Sequence, residues 1–299
     1  MKRPGASVRN VVGVAGMVAV STILPLGGAP AAGLAAGLAA GSAAGPAATL
    51  PAYAHNDYLN DHPLQDALDG GFRGVEADYF LVDGELLVAH DLEDVRPGRT
   101  LEALYLRPLR ERIDRLGCVQ PGEPVFFLNI ESKREGPETY DALHDLLSNY
   151  EDILTTVRDG KVIPGPVQVI LVGWFPPLAD LAAQPVRYAA GQAHYQDLPA
   201  DHARHPAHLL KLITVKYRDE FAWDGCPPRP GEFTWRLHEI RKVRDAVPGR
   251  ILRVFAVPGS AEVHAALLAG GVDLIGTKDL QMTRRLLLDL ESAPARAGR

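Results

Sequence analysis

Two short stretches of this chain place acidic and basic side chains at alternate positions within or directly after apolar runs. Glu76 and Asp78 are separated by one residue, and Glu131 and Lys133 follow the run Phe126–Leu128 with the same spacing. Residues at i and i+2 of a strand point to the same face, so Glu76 and Asp78 can reach one cation. With Glu131 they would form an all-oxygen site suited to Mg²⁺ or Ca²⁺. A solvated strand end or a local ion pair would explain either pair alone. Convergence of separate strands on one end favours a metal site. A buried cluster of carboxylates without a cation is costly, because like charges raise one another's pKa.

Two histidines accompany these carboxylates. His55 follows the first candidate strand, and His90 follows a predicted hairpin whose tip is the Asp-Gly pair at 83–84. Histidine titrates near neutral pH, so such a pair could take a proton from a nucleophile and return one to a leaving oxygen. A two-residue loop at the tip would place His90 on the face away from Glu76 and Asp78. The site hypothesis therefore predicts a three-residue turn, and a two-residue register would need a further bulge to bring His90 back.

Two further residues are candidates for a substrate pocket because they follow predicted strands. Lys216 is a candidate for a phosphate contact, and Trp174 is a candidate for the rim of the pocket, where it would hold an apolar or sugar group. A surface lysine and an aromatic residue that caps the core explain these two positions equally well.

Eight apolar strands, alternating with helix-like segments, would have to position these side chains. The candidate strands are Ala52–Asn56, Gly74–Phe80, Val125–Glu131, Val169–Gly173, Val186–Ala190, Leu209–Lys216, Ile251–Val257 and Val272–Gly276. This α/β alternation predicts parallel βαβ units, and eight units in about 250 residues fit a single-domain (β/α)₈ TIM barrel over residues 51–299. Barrel enzymes carry their active sites at the carboxyl ends of the strands. The alternative is an open doubly wound sheet, which usually has a glycine-rich loop after its first strand. Residues 54–57 contain no glycine.

The first fifty residues differ from the rest. A basic start, an apolar run over residues 11–26 and small residues near 29–31 predict a secretory signal peptide over residues 1–31. An Ala/Gly-rich linker over residues 32–50 follows, and we expect an extracellular protein. An uncleaved membrane anchor is the alternative, although the apolar run is shorter than the roughly 20 residues that a span needs.

Composition narrows the class of protein. With 299 residues, 46% hydrophobic and 23% charged, most of the chain is not disordered, and two cysteines do not make a disulfide scaffold. We expect both thiols to be free. Beyond the leader, 28 basic residues stand against 37 acidic ones, a net charge of −9. That charge disfavours nucleic acid and allows at most transient membrane-surface contact. We expect a monomer.

The blocks Ala54–Tyr58, Gly74–Asp78 and Asp83–Asp91 resemble the phosphatidylinositol-phospholipase-C-like phosphodiesterase superfamily. Its members include the glycerophosphodiester phosphodiesterases, and the spider-venom sphingomyelinases D are similar. The Ala-His-Asn-Asp-Tyr start resembles in particular the branch named after the yeast altered inheritance of mitochondria protein six. The resemblance extends to Asn129–Lys133 and Gly271–Thr277.

This resemblance implies a (β/α)₈ barrel with one divalent ion, Mg²⁺ before Ca²⁺. It implies the following roles: catalytic, His55 and His90; metal-binding, Glu76, Asp78 and Glu131; phosphate-binding, Lys133. The chain also departs from the family pattern. Asn56-Asp57 stands where glycerophosphodiesterases carry Arg-Gly, and no Glu-Asn-Thr follows. A glycerophosphodiester substrate is therefore not implied, and Asn56 is a candidate for the missing substrate contact. Phe255 stands where many relatives have tryptophan.

These observations together predict an exported, metal-dependent phosphoric diester hydrolase, or a phosphodiester-cleaving lyase, that acts on a lipid or lipid-derived phosphodiester. The attacking group, water or a substrate hydroxyl, stays open, as does the choice of acid and base between the histidines. The alternatives are a metal-dependent lyase or isomerase on the same barrel, or a non-catalytic protein that binds lipids or phosphosugars. A binding protein needs no acid–base pair, so His55, His90 and Lys133 argue against the last.

Overall fold

The structure, a computed structural model, describes residues 49–292. Its strands are β1 (Leu50–Ala54), β2 (Phe72–Val82), β3 (Glu85–Val88), β4 (Phe126–Ser132), β5 (Thr156–Arg158), β6 (Lys161–Ile163), β7 (Val167–Gly173), β8 (Val186–Arg187), β9 (Ala189–His194), β10 (Leu210–Lys216), β11 (Ile251–Phe255) and β12 (Leu274–Thr277). Its α-helices are α1 (Gln65–Asp69), α2 (Arg107–Leu116), α3 (Pro137–Ser148), α4 (Leu178–Ala183), α5 (Tyr217–Glu220), α6 (Gly231–Asp245), α7 (Ala261–Ala269) and α8 (Leu280–Ser292). The predicted signal peptide and all but the end of the predicted linker lie outside the described residues.

Eight of these strands close into a parallel barrel. Their order around it is β1-β2-β4-β7-β9-β10-β11-β12, and β12 pairs with β1 to complete the ring. Helices follow seven of the eight strands, and β9 is followed by two short 3₁₀ turns instead. The predicted (β/α)₈ TIM barrel is therefore confirmed. The hairpin strand β3 pairs antiparallel with β2 and extends it beyond the ring.

The fifth predicted barrel strand is displaced along the chain. Val186–Ala190 was expected, whereas the barrel strand is β9, Ala189–His194. Val186 and Arg187 pair with β5 in a separate three-stranded sheet with β6. The buried Arg187 guanidinium donates to the carbonyl oxygens of Leu181 in α4 and Ala189 in β9 at 2.8 and 3.1 Å, so it joins this sheet to the barrel wall.

Two hydrophobic cores lie on opposite sides of the barrel wall. The larger one packs the helices against the outer face of the strands. The smaller one fills the barrel interior with Tyr53, Phe127, Ile170, Val172, Leu212 and Leu274. Gly74 leaves room for this filling, because a Cβ there would stand 2.8 Å from the Phe127 carbonyl oxygen and 2.9 Å from the Tyr53 ring. The interior is therefore a packed floor on which side chains at the carboxyl ends rest.

The helices outside the barrel are short. The longest, α6, has 15 residues. Over residues 49–292, no helix has both the length and the apolar character needed to cross a bilayer. Cys118 and Cys226 are both free, in agreement with the expectation from the sequence.

Asp57 anchors the loop between β1 and α1. Its fully buried carboxylate accepts hydrogen bonds from the Leu64 backbone N–H at 2.5 Å and the Tyr105 hydroxyl at 3.1 Å, both on Oδ2. Burial raises the pKa of Asp57 to about 6, although these donors oppose the rise. Asp57 therefore holds the loop behind His55 in place, and its two hydrogen-bond donors tie that loop to the scaffold.

Replacing Asp57 with asparagine should change how stability depends on pH. The raised pKa means that the folded state binds the proton more tightly than the unfolded state. The Asp57 contribution is therefore fully present below the ordinary value of 3.8 and is lost as pH rises to about 6. Asparagine keeps an acceptor for both donors and does not ionise. Relative to the wild type, Asp57→Asn should gain about 2–3 kcal/mol between pH 4 and pH 7.5 in urea denaturation.

The matched control is Asp83→Asn at the exposed hairpin tip, which should follow the wild-type profile. A constant difference between Asp57→Asn and the wild type at the two pH values would contradict the assignment.

Candidate active site

Three carboxylates gather at the carboxyl ends of two neighbouring barrel strands. Glu76 and Asp78 come from β2 and Glu131 from β4, and the strand register places Asp78 beside Glu131. One oxygen of each side chain lies within 4.8 Å of the others. The structure therefore brings together the three residues that were predicted to bind a metal.

Glu76 holds two hydrogen-bond donors on one oxygen. Its Oε2 accepts from Arg253 Nη1 at 2.9 Å and from the Tyr53 hydroxyl at 3.0 Å, while Oε1 lies 3.5 Å from His55 Nδ1. The residue is only 1% exposed. Burial opposes ionisation, but Arg253, His55 and the hydrogen bonds outweigh it and lower the pKa of Glu76. Glu76 is thus a buried, charged carboxylate.

Asp78 has the same asymmetry. Its Oδ2 lies 2.7 Å from the donating Tyr58 hydroxyl, 2.9 Å from Lys133 Nζ and 3.0 Å from His90 Nδ1. Its Oδ1 is buried and has no hydrogen-bond partner within residues 49–292. A buried carboxylate oxygen without a donor is costly unless a cation or another donor reaches it. This oxygen therefore fits a metal ligand.

Lys133 links the two remaining carboxylates. Its ammonium donates to Glu131 Oε1 at 2.8 Å and also contacts Asp78. Burial and then the charge of Asp78 raise the pKa of Glu131, against the effect of Lys133. Burial would lower the pKa of Lys133, but its two carboxylate partners raise it. The lysine is therefore a charged group at the edge of the cluster, with 17% of its side chain exposed.

His55 lies against Glu76 and an aromatic ring. Its imidazole stacks on Phe255, with ring centroids 5.6 Å apart and an interplanar angle of 16°. Burial lowers the pKa of His55, an effect that Glu76 opposes and Arg253 reinforces. Gly276 makes the stack possible, because a Cβ at that position would stand 2.9 Å from the Phe255 Cβ.

His90 reaches Asp78 by a route that differs from the expected one. The predicted three-residue turn is wrong: Val82 pairs with Glu85, so the loop has two residues, both with positive φ. That register would have turned His90 away, but the pairing stops at Tyr79 and Val88. Ala89 and His90 then leave the ribbon, which frees His90 to contact Asp78.

The other predicted pocket residues do not join this cluster. Asn56 is buried in a left-handed backbone conformation, and within the described chain no hydrogen bond joins its side chain to the carboxylates. Lys216 is half exposed and lies 3.8 Å from Asp219. Trp174 packs against the outer core. Its neighbour Phe175 packs against the same core and also lines a cavity of about 420 Å³ beside Glu131.

Sequence reasoning missed three residues of the site, Arg253, Tyr58 and Tyr53, and assigned no role to Asn129. Arg253 had a readable signal, because it interrupts the apolar strand β11 at an inward-facing position and a buried arginine needs acceptors. Asn129 is fully buried, and neither polar atom of its side chain has a hydrogen-bond partner among the described residues. The tyrosine hydroxyls gave no such signal, since their partners are distant in sequence.

A closed barrel with a carboxylate cluster and two histidines at its carboxyl ends is the arrangement expected of the phosphatidylinositol-phospholipase-C-like phosphodiesterase superfamily. Within that superfamily, residues 45–184 match the family described as the AIM6-like phosphodiesterase domain. The resemblance to the altered inheritance of mitochondria branch is therefore confirmed for this part of the chain.

Two relatives by sequence each match less than half of this chain. An altered inheritance of mitochondria protein 6 homolog from Arthroderma benhamiae is 28% identical over 150 residues, which are 42% of this chain and 48% of the relative. Altered inheritance of mitochondria protein 6 from Lachancea thermotolerans is 35% identical over 145 residues, 42% of this chain and 34% of the relative. The matched stretch spans about half or less of these relatives. A crystal structure of glycerophosphodiester phosphodiesterase from Agrobacterium tumefaciens is 17% identical with a TM-score of 0.45, covering 78% of this chain and 98% of that chain.

The charge balance of the cluster yields a prediction for Lys133. Lys133→Met leaves Asp78 and Glu131 with one positive charge fewer nearby. Removing one partner of a fully buried pair costs about 3–5 kcal/mol. Lys133 is partly exposed, so we expect a loss of about 2–3 kcal/mol in EDTA. Because a cation can replace the lost charge, Mg²⁺ should stabilise the variant more than the wild type, as measured by chemical denaturation. Equal stabilisation of both proteins would contradict this account.

Proposed function

We propose that this protein is a divalent-cation-dependent phosphodiesterase. The observation that carries the proposal is that each candidate catalytic histidine has its own buried carboxylate: Glu76 for His55 and Asp78 for His90. Both histidines turn Nδ1 toward that carboxylate, which leaves Nε2 of each ring free to exchange a proton with substrate. One imidazole takes the proton of the attacking oxygen, and the other gives a proton to the leaving oxygen.

The carboxylates are the residues that would hold the cation. Three carboxylate oxygens are hard ligands that suit Mg²⁺, the proposed ion, or Ca²⁺ as the alternative. When bound, the cation supplies charge that neutralises the phosphate and stabilises the transition state. Lys133 lies at the same cluster and adds a positive charge of its own, so its proposed role is to bind phosphate.

The proposed substrate is a lipid or lipid-derived phosphodiester. The cavity beside Glu131 supports this class, because its lining includes the apolar residues Val172, Phe175 and Leu178. The lining also includes His194 and Asp197, which suit a polar head group. The acidic surface makes nucleic acid a poor substrate. We propose that the protein acts as a monomer with at most transient membrane contact.

Hydrolysis of a defined panel tests the proposal. Glycerophosphocholine, lysophosphatidylcholine, sphingomyelin and phosphatidylinositol are each incubated with Mg²⁺, Ca²⁺ or EDTA, and phosphorus NMR follows the products. We expect turnover of at least one compound that stops in EDTA and returns with Mg²⁺. A cyclic phosphate would identify a substrate hydroxyl as the attacking group. Turnover that persists in EDTA would refute the cation dependence, and silence across the panel despite demonstrated cation binding would refute the substrate class.

Variants of the two histidines test the assigned roles. His55→Asn and His90→Asn should each lower kcat by about 10²–10⁴-fold, because each removes one proton-transfer group. The matched control is His238→Asn on the exposed face of α6, which should leave kcat unchanged. Circular dichroism verifies the fold of all three. Full turnover in either site variant would exclude its histidine from the reaction.

Export is a separate proposal that rests on the pattern of residues 1–31. The full chain is expressed with its own leader in a bacterial host, and the medium and cells are analysed by mass spectrometry. We expect secreted protein whose first residue follows a small-residue site near Ala31. Retention of residues 1–31 in a cell-associated product would overturn the proposal.

A further inference from the structure

Arg253 is a buried cation inside the barrel. It comes from β11, is 2% exposed, and donates to three side chains: Thr214 Oγ1 at 3.0 Å, Glu76 Oε2 at 2.9 Å and Gln192 Oε1 at 3.3 Å. These acceptors come from β10, β2 and β9, so the guanidinium reaches across the barrel interior. It also lies over the Tyr53 ring, 4.6 Å from its centroid. Together, these contacts hold the guanidinium in a single position.

The contacts of Arg253 divide the two oxygens of Glu76. A carboxylate oxygen has about two lone-pair sites, and Oε2 already accepts from Arg253 and from the Tyr53 hydroxyl. The other oxygen, Oε1, has no donor closer than His55 Nδ1 at 3.5 Å among the described residues. Asp78 repeats the pattern, with donors crowded on Oδ2 and none on Oδ1.

We propose that Arg253, together with Tyr53, is a positioning residue that occupies Oε2 of Glu76 so that Oε1 alone faces the cation and His55. This inference rests on the proposed cation-dependent function and assigns a residue to it. Groups that orient a metal-binding side chain typically change metal affinity by about 10–100-fold when removed.

One-oxygen presentation has a consequence for cation choice. Mg²⁺ requires near-octahedral geometry and keeps several waters, whereas Ca²⁺ has 6–8 ligands and accepts bidentate carboxylates. With Oε2 occupied, Glu76 offers a single oxygen, which suits Mg²⁺. Freeing Oε2 permits bidentate binding and therefore favours Ca²⁺. Arg253 thus sets the discrimination between the two ions as well as the affinity.

The test measures cation binding without substrate. Isothermal titration calorimetry gives Kd values for Mg²⁺ and Ca²⁺ in the wild type, Arg253→Met and Tyr53→Phe, at a temperature where each is folded. We expect Arg253→Met to shift the Mg²⁺/Ca²⁺ affinity ratio about tenfold toward Ca²⁺. The positive charge lost with the guanidinium acts on both divalent ions alike and therefore cancels in this ratio. Tyr53→Phe removes one small donor and should shift the ratio in the same direction by a smaller factor. It also keeps the proposal testable if Arg253→Met does not fold.

Arg187→Met is the matched control, because Arg187 is also a buried arginine but bonds to carbonyl oxygens away from the carboxylates. It should lose stability and keep the wild-type affinity ratio. If the ratio is unchanged in both Arg253→Met and Tyr53→Phe while the wild type binds cations and turns over substrate, the role of Arg253 is overturned and the proposed function stands. A wild type that binds neither ion would overturn this inference and the cation dependence together. A shifted ratio in a protein without phosphodiesterase turnover would support the positioning role and reject the proposed function.

Discussion

The site depends on the cost of placing two buried carboxylates and a partly buried third together at one end of a barrel. Glu76 and Asp78 are almost fully buried, and a charge in such a place is tolerated only when it is paired and hydrogen-bonded. Arg253 meets this demand from within the barrel and Lys133 from its edge. The two cations differ in kind: the arginine is locked by side chains of three strands, whereas the lysine is partly open to solvent. One belongs to the scaffold, and the other is available to a ligand.

The barrel floor and the polar layer above it are built from the same strands. Alternate residues of each strand point inward, so Tyr53 and Phe127 fill the interior below the level of Glu76 and Glu131. The polar side chains are therefore fixed by strand register rather than by loops. His55 and His90 are exceptions, since each lies just beyond the end of its strand. Their positions depend on contacts with Phe255 and Asp78.

Much of this arrangement could be predicted from the sequence. The alternation of strands and helices identified the barrel, and the spacing of Glu76, Asp78 and Glu131 placed their side chains together, because both follow from short-range periodicity. The hairpin register could not be derived in the same way. It depends on where the pairing ends, at Tyr79 opposite Val88, whose backbone N–H donates to the Arg99 carbonyl oxygen instead. Arg253 was missed because its partner is 177 residues away. The expected pocket aromatic, Trp174, is one residue from Phe175, and a strand end leaves the choice between them to the loop that follows.

In the β2–β3 hairpin, the position of His90 does not depend on how far the two strands extend beyond the barrel. Its tip at residues 83–84 lies beyond the barrel, and the last paired residues, Tyr79 and Val88, already fix where the chain turns toward Asp78. Residues added symmetrically at the tip would lengthen the ribbon outward and leave those last pairs in place. The tip is thus a natural point for grafting a peptide, an affinity handle or a fluorophore next to the candidate active site. The scaffold could then be given new binding partners while the spacing of its two histidines stays as it is.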